Sequence, residues 1–404
     1  MDFEVLIIGS DINAYYMARC CYEEYNKKAY LIGKEPMKFT TYSKILNISY
    51  ESDIHNSDAF KRIIKEFVNK HKDKKILLIG SNDNYVRLII ENQEYLDKLG
   101  LVYSKFSEDL LNNILIKENF YNNFKGVDIP ETYIYNLKDR LDNKKIDSIG
   151  FPLILKPSNG VEYHAHEFIG QAKVYKIKNI DELNNVLNDI KNSGYKDNLI
   201  IQKFIKGDDT YLFDCVAYVD RKGKVKLMTF AQIGLQEHTP TGIGNATVVV
   251  NGYNRYGNTS ETIEKLKNAI EKSGYHGFCE FDLKYDEDDK KFKVLEINPR
   301  QARCSYYLAF AGFNLVKYLV DDLILNKELE YTFIEKQVCL SFVPMCIIKK
   351  YISDKELVEK IIKLKKDKRL VNPLRYKKDN SLKRKLWLIL RDYNYIVKYR
   401  NNRW

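Results

Sequence analysis

The sequence predicts a doubly wound α/β domain followed by an α+β domain, and three observations carry that reading. Over the first hundred residues, short apolar runs ending in Gly alternate with amphipathic stretches, the order that builds a parallel sheet. After Lys105 that alternation gives way to mixed strands and helices. Two strand-like segments at 277–285 and 291–297 then flank an acidic turn, Asp286 to Asp289, as a hairpin would. The expected division is 1–105, then 106–330 with a lid at about 135–205, then a basic C-terminal extension at 331–404.

Residues 3–9 form an apolar run ended by Gly9, the pattern of a strand buried on both faces. Residues 13–26 read as a helix and 28–33 as a second strand. Phe60, Ile63, Ile64, Phe67 and Val68 recur at helical spacing, and 75–80 forms a third strand ended by Gly80. Ligands of such sheets bind beyond the carboxyl ends of the strands. Here those ends carry Gly9-Ser10-Asp11 and Gly80-Ser81-Asn82-Asp83. No G-x-G-x-x-G is present, so a dinucleotide site is not supported.

In the second region, 110–124 reads as one helix. Strands are expected at 151–156 and 173–178 around a polar loop, with a helix over 180–193. Further strands follow at 198–204, 211–219 and 224–233, then a Gly-containing loop at 234–245 and a helix at 260–273.

With 404 residues, 45% hydrophobic and 30% charged, the chain has the composition of a folded protein of two or three domains. The apolar stretch at 5–8 is too short for a signal peptide, and no run approaches the roughly 20 apolar residues that span a bilayer. A cytoplasmic protein is expected. The seven cysteines include no C-x-x-C pair and read as buried thiols. The net charge of +11 lies wholly in residues 351–404, which carry 17 Lys+Arg against 6 Asp+Glu. That tail is either a solvated helical face or a surface for anionic partners, with Leu386, Trp387, Leu388, Ile389 and Leu390 suited to an anionic membrane. A protein that binds nucleic acid or an anionic membrane through this tail is the alternative from another class; it leaves the polar cluster at 282–300 unexplained, and a nucleic-acid partner is not expected.

The chemistry concentrates in three places. Strand alternation puts Glu296 and Asn298 on one face, and a hairpin brings Asp282 to them. Two carboxylates and an amide carbonyl form an all-oxygen set for a hard cation, although a polar strand pair has the same pattern. Arg300 follows at once, placed to neutralise charge on a transferred phosphoryl group. Lys156 ends a very apolar strand, where a lysine either snorkels to water or binds an anion. The segment Gln202-Lys203-Phe204-Ile205 offers backbone groups to an adenine edge, and Asp209 a carboxylate to ribose hydroxyls. Asp11 and Tyr15 follow the first strand, where they bind an amino-acid substrate or simply serve the helix start. His238 either orients a carboxylate or acts as a general base, or simply shapes its loop.

A lysine on a strand, a hinge strand followed by an acid, then D…E-x-N-P-R, in this order, resembles the ATP-grasp superfamily over residues 3–325. The first domain resembles the α/β companion domain that precedes an ATP-grasp domain. Within the superfamily, the stretches 9–15, 23–25, 43–45, 237–245 and 296–307 look like the D-aspartate ligases of cell-wall synthesis. The resemblance implies an ATP-dependent carboxylate–amine ligase that uses ATP and two Mg²⁺ ions. It implies an amino-acid substrate, D-aspartate, and as amine acceptor the lysine side chain of a peptidoglycan precursor. Another amino acid, or a capsule or secondary-metabolite acceptor, is the alternative. The implied nucleotide contacts are Lys117, Lys156, Gln202, Lys203, Phe204, Ile205 and Asp209, and the metal ligands Asp282, Glu296 and Asn298. Arg300 and Lys156 would carry catalysis, and Arg303 would bind substrate. Two departures stand out: the hinge opens with Gln202 where many relatives have an acid, and the lid loop is poor in Gly.

Overall fold

Three sheets organise the chain in the computed structural model, which describes residues 2–239 and 242–402. Pro240 and Thr241 of the loop 234–245, and Arg403 and Trp404 of the basic tail, lie outside the described residues.

The first sheet is parallel throughout, in the order Leu46–Tyr50, Ala29–Gly33, Phe3–Ile8, Lys75–Gly80. Helices Ile12–Tyr25 and Ser57–Lys70 cover its two faces, as the doubly wound pattern requires. Gly9 ends the central strand at φ +122°, and a Cβ there would lie 1.9 Å from Ser81 Oγ. Only glycine lets the two strand ends come this close. The edge strand Leu46–Tyr50 was not among the expected elements; its alternating, half-exposed residues give a weak signal.

A small antiparallel sheet follows, ordered Thr132–Tyr135, Leu199–Lys203, Leu153–Pro157, Tyr175–Ile177. The helix Ile180–Asn192 packs its Leu183, Leu187 and Ile190 against it. Among the described residues the large sheet has nine strands, and its edge is the hairpin Gly277–Asp286 with Lys291–Asn298. Ala246–Asn251, a wholly buried strand that was not among the expected elements, follows the expected loop, whose first residues, 234–236, belong to the strand Ala231–Gln236. The expected strand at 224–233 divides into Val225–Met228 and Ala231–Gln236. Thr229 lies at the division, where its hydroxyl accepts from the backbone N–H of Val216.

The expected helix at 110–124 also divides, into Glu108–Leu115 and Lys117–Asn123, because Ile116 takes an extended conformation. The break has a purpose visible in the packing. The N–H groups of Lys117 and Glu118 at the new helix start donate to the carbonyl and hydroxyl of Ser158. The small sheet thereby caps a helix that carries Lys117 toward the large sheet.

Six cysteines are buried as expected, while Cys346 is exposed. The C-terminal stretch is not a loose appendage: Val338–Ser341 and Leu370–Val371 join the large sheet, and the helix Leu382–Asn401 lies against it. Among the described residues no helix is long and apolar enough to cross a membrane.

Candidate active site

The hairpin register sets the site. Asp282 pairs with Glu296 and Glu280 with Asn298, so four polar side chains share one face of two adjacent strands. The Asn298 amide nitrogen donates to Glu280 Oε2 at 3.1 Å and to Asp282 Oδ2 at 3.2 Å. Its oxygen accepts from Arg300 Nη2 at 3.3 Å.

The carboxyls of the two facing acids are shifted in opposite directions. Packing pushes Glu296 up, but Lys117, Lys173 and Lys156 together outweigh it and hold that carboxyl at about 2. Lys117 Nζ stands 3.4 Å from Glu296 Oε2. Asp282 is pushed well above the usual carboxylate range, by desolvation first and then by the Glu296 charge opposite. The Glu296 side chain keeps 32% of its surface exposed, so this acid pair reaches solvent rather than lying in the core. Two facing carboxylates whose charges oppose each other form a hard-oxygen set that a divalent cation would relieve, so the donor set fits Mg²⁺.

Lys156 closes the opposite wall. It is buried, and its ammonium donates to the Tyr121 hydroxyl at 2.8 Å. Burial pushes it down to about 8, with Glu296 pulling it back up. Tyr121 in turn donates to the carbonyl of Leu295 at 2.5 Å, so one phenol ties Lys156 to the hairpin. Gln202 is buried beside it and donates to Thr132 Oγ1 at 2.7 Å. Further along the hinge, Lys203 pairs with Asp286 and Asp288 of the hairpin turn. The Phe204 ring has the ammonium groups of Lys176 and Lys284 over it, and Ile205 is buried.

Asp209 lies at the end of this hinge. Its carboxylate accepts from Gln236 Nε2 at 2.7 Å and stands 2.8 Å from His238 Nε2. Arg303 forms a separate group nearby, donating to Glu237 Oε1 at 2.9 Å, which also accepts from the Tyr395 hydroxyl at 2.8 Å. Arg300 reaches the first domain: its Nε and Nη2 meet the two oxygens of Asp83 at 2.6 and 3.4 Å.

The structure thus brings together Lys117, Lys156, Gln202, Asp282, Glu296, Asn298 and Arg300, and separately joins Asp209 to His238. It does not bring Tyr15 to either group. That side chain is fully buried, with its hydroxyl donating to Asp379 and Arg384 over its ring. Asp11 caps the helix Ile12–Tyr25 through the N–H of Ala14 and accepts from Ser81 and Asn82 with its second oxygen. Four neighbours were not foreseen: Glu280, Tyr121, Lys173 and Asp83. Glu280 was accessible by the same alternation that placed Asp282. Tyr121 follows Lys117 by one helical turn, the spacing of side-chain neighbours.

Against known proteins, no family model matches the chain. A D-aspartate ligase of Enterococcus faecium (strain Aus0004) is 32% identical over 419 residues, covering 99% of this chain and 96% of that protein. Among solved structures, an L-amino acid ligase from Bacillus licheniformis superposes with a TM-score of 0.58 at 14% identity, covering 81% of this chain and 75% of that one. An N5-carboxyaminoimidazole synthetase from Staphylococcus aureus, complexed with ADP, gives 0.61 at 14% identity, covering 84% and 82%. These structures share the fold.

Proposed function

The chain belongs to the D-aspartate ligase family, ATP-dependent carboxylate–amine ligases of ATP-grasp fold, and from that membership we propose that it joins D-aspartate to the lysine side chain of a peptidoglycan precursor. Action in the cytoplasm, peripheral to the inner membrane face, belongs to the same proposal. The observation that supports it best is the facing pair Asp282 and Glu296, ringed by Lys117, Lys156 and Arg300.

In this reading Asp282, Glu296 and Asn298 would hold Mg²⁺, with two ions serving the reaction. The metal supplies charge neutralisation on the nucleotide's phosphate oxygens. Lys117 and Lys156 hold those phosphates from the other side, and the hinge 202–205 takes the adenine. An oxygen of the substrate carboxylate attacks the γ-phosphorus, ADP leaves, and an acyl phosphate forms. Arg300 spreads the developing charge. The small sheet, closing as a lid, excludes the water that would hydrolyse this intermediate. The acceptor amine, arriving uncharged, then attacks the acyl carbon. Phosphate leaves, the amine gives up a proton, and the amide remains. Arg303 or His238 would orient the substrate.

The direct test is phosphate release from Mg-ATP with D- and L-amino acids, each paired with a lysine-containing peptidoglycan peptide. Release is expected only with D-aspartate and the peptide together. Release with a different acid would discard the substrate assignment while leaving the ligase chemistry intact.

Lys156 gives this reading a pH signature. The ammonium form binds phosphate, and its folded-state value is about 8 against 10.5 for a free lysine. ATP binding should therefore weaken above pH 8, by up to about tenfold per unit while one proton must be taken up. Stability moves the other way. The unfolded chain binds that proton more tightly, so folding gains between about 8 and 10.5 as pH rises. Calorimetric titration across this range checks the first, and thermal melts the second.

A further inference from the structure

The C-terminal helix Leu382–Asn401 carries two opposed faces. Its inner face holds Arg384, Leu388, Arg391, Tyr395 and Tyr399, all buried. These anchor the helix: Arg384 donates to the carbonyls of Phe39 and Leu374, Arg391 to that of Phe342, and Tyr399 to that of Gln236. Its outer face is as apolar as a core. Leu382, Leu386, Ile389, Leu390, Tyr393, Ile396 and Val397 recur at helical spacing on one side and are between 38% and 83% exposed. The stripe runs from Leu382 to Val397, about 22 Å at 1.5 Å per residue. Such a continuous apolar stripe is unusual on a free surface and marks a contact site.

The charges around it select the occupant. Lys383 and Lys385 are exposed on the two flanks of the stripe, and Arg400 at its far end. Lys38, from the first domain, lines the same open depression as Leu390 and Asn394. The one acid on the helix, Asp392, is paired with Arg375 at 2.6 Å. A second copy of this face would bring basic flanks against basic flanks. An anionic, apolar partner meets both features at once, as a bilayer rich in acidic phospholipid does when an amphipathic helix lies in its surface.

We propose that the outer face of the helix Leu382–Asn401 docks the enzyme on an anionic lipid bilayer, with the apolar stripe entering the headgroup region and Lys38, Lys383 and Lys385 meeting lipid phosphates. This rests on the peripheral placement proposed above and goes beyond it by naming the face, the orientation and the chemistry. The helix is held rigidly by its inner side, so docking fixes how the whole molecule sits on the membrane. The inner face also touches the site, because Tyr395 bonds Glu237 beside Arg303 and Tyr399 bonds Thr247. A membrane-bound enzyme therefore presents its substrate loop at a set distance from the lipid surface.

The test is co-sedimentation of the full chain with vesicles of phosphatidylcholine containing about one-third phosphatidylglycerol, and with phosphatidylcholine alone. The wild type should bind the anionic vesicles at least tenfold more tightly, and salt should weaken that binding. Leu386→Asn with Leu390→Asn, and separately Lys383→Glu with Lys385→Glu, should each lower it at least tenfold. Both variants should keep wild-type phosphate release with a soluble acceptor peptide, since these side chains point away from the site. That activity control separates this proposal from the ligase assignment, because either can fail without the other. Equal binding by wild type and variants overturns the proposal, as does no binding by any of them. A wild-type dimer on sedimentation that the Leu386 and Leu390 variant abolishes would assign the stripe to a second copy instead.

Discussion

Glu296→Gln should lower ligase turnover by about a thousandfold or more while the protein stays folded. Glu296 is the acid of the facing pair that is held ionised, at about 2, by Lys117, Lys173 and Lys156. Glutamine keeps its shape and loses the charge, so the cleft keeps its lysines and loses the anion that balances them. A hard dication then has one carboxylate, Asp282, and an amide to bind, which is a poorer set. A thousandfold loss corresponds to about 4 kcal/mol of transition-state stabilisation, within what a metal at a transferring phosphoryl group supplies. The fold should tolerate the change. The substitution removes the like charge opposite Asp282, and the Lys117 and Glu296 side chains keep 20% and 32% of their surface exposed. Phosphate release, Mn²⁺ titration and a thermal melt together decide it. Full activity with an unchanged melt would remove Glu296 from the metal set, and Asp282→Asn would then test whether its neighbour holds the ion alone.

This hairpin was legible in the sequence because β alternation is local. Two residues apart on a strand means one face, and the acidic turn at 286–289 supplied the partner strand. The parallel first sheet was legible for the same reason, through apolar runs ended by Gly9, Gly33 and Gly80. What escaped depends on distance along the chain. Asp83 sits in a turn recognised as facing ligands, yet its partner Arg300 is 217 residues away and nothing local names it. Nothing local to Tyr121 announces that its hydroxyl lies between Lys156 and the hairpin. The break at Ile116 arises because Ser158, far along the chain, caps the second helix, and no residue near 116 announces it. The basic tail shows the limit of counting charge. Arg384 and Arg391 contribute to the surplus but are buried anchors, and only burial divides them from the exposed lysines.

Arg300→Lys should lower turnover by roughly a hundred- to a thousandfold and change ATP affinity by less than about threefold. The guanidinium uses its planar fork: two nitrogens meet Asp83 while one of them also reaches the Asn298 oxygen. Asp83 and Glu280 keep it charged well beyond the ordinary range against the cost of burial. A lysine preserves the charge for Asp83 but cannot span both partners, so the loss falls on orientation. If Arg300 serves the acyl phosphate, hydroxylamine trapping of that intermediate should fall with turnover, while nucleotide binding, which rests on Lys117, Lys156 and the hinge, stays. Asp83→Asn separates the alternatives. It dissolves the ion pair but leaves the guanidinium in place, at a stability cost of about 1–3 kcal/mol, because the Arg300 side chain left without its partner is only 16% exposed. Turnover within about threefold of wild type is then expected. If Asp83→Asn instead matches the loss seen in Arg300→Lys, the arginine acts by holding the first domain against the hairpin. The charge on the phosphoryl group must then be met by the lysines alone.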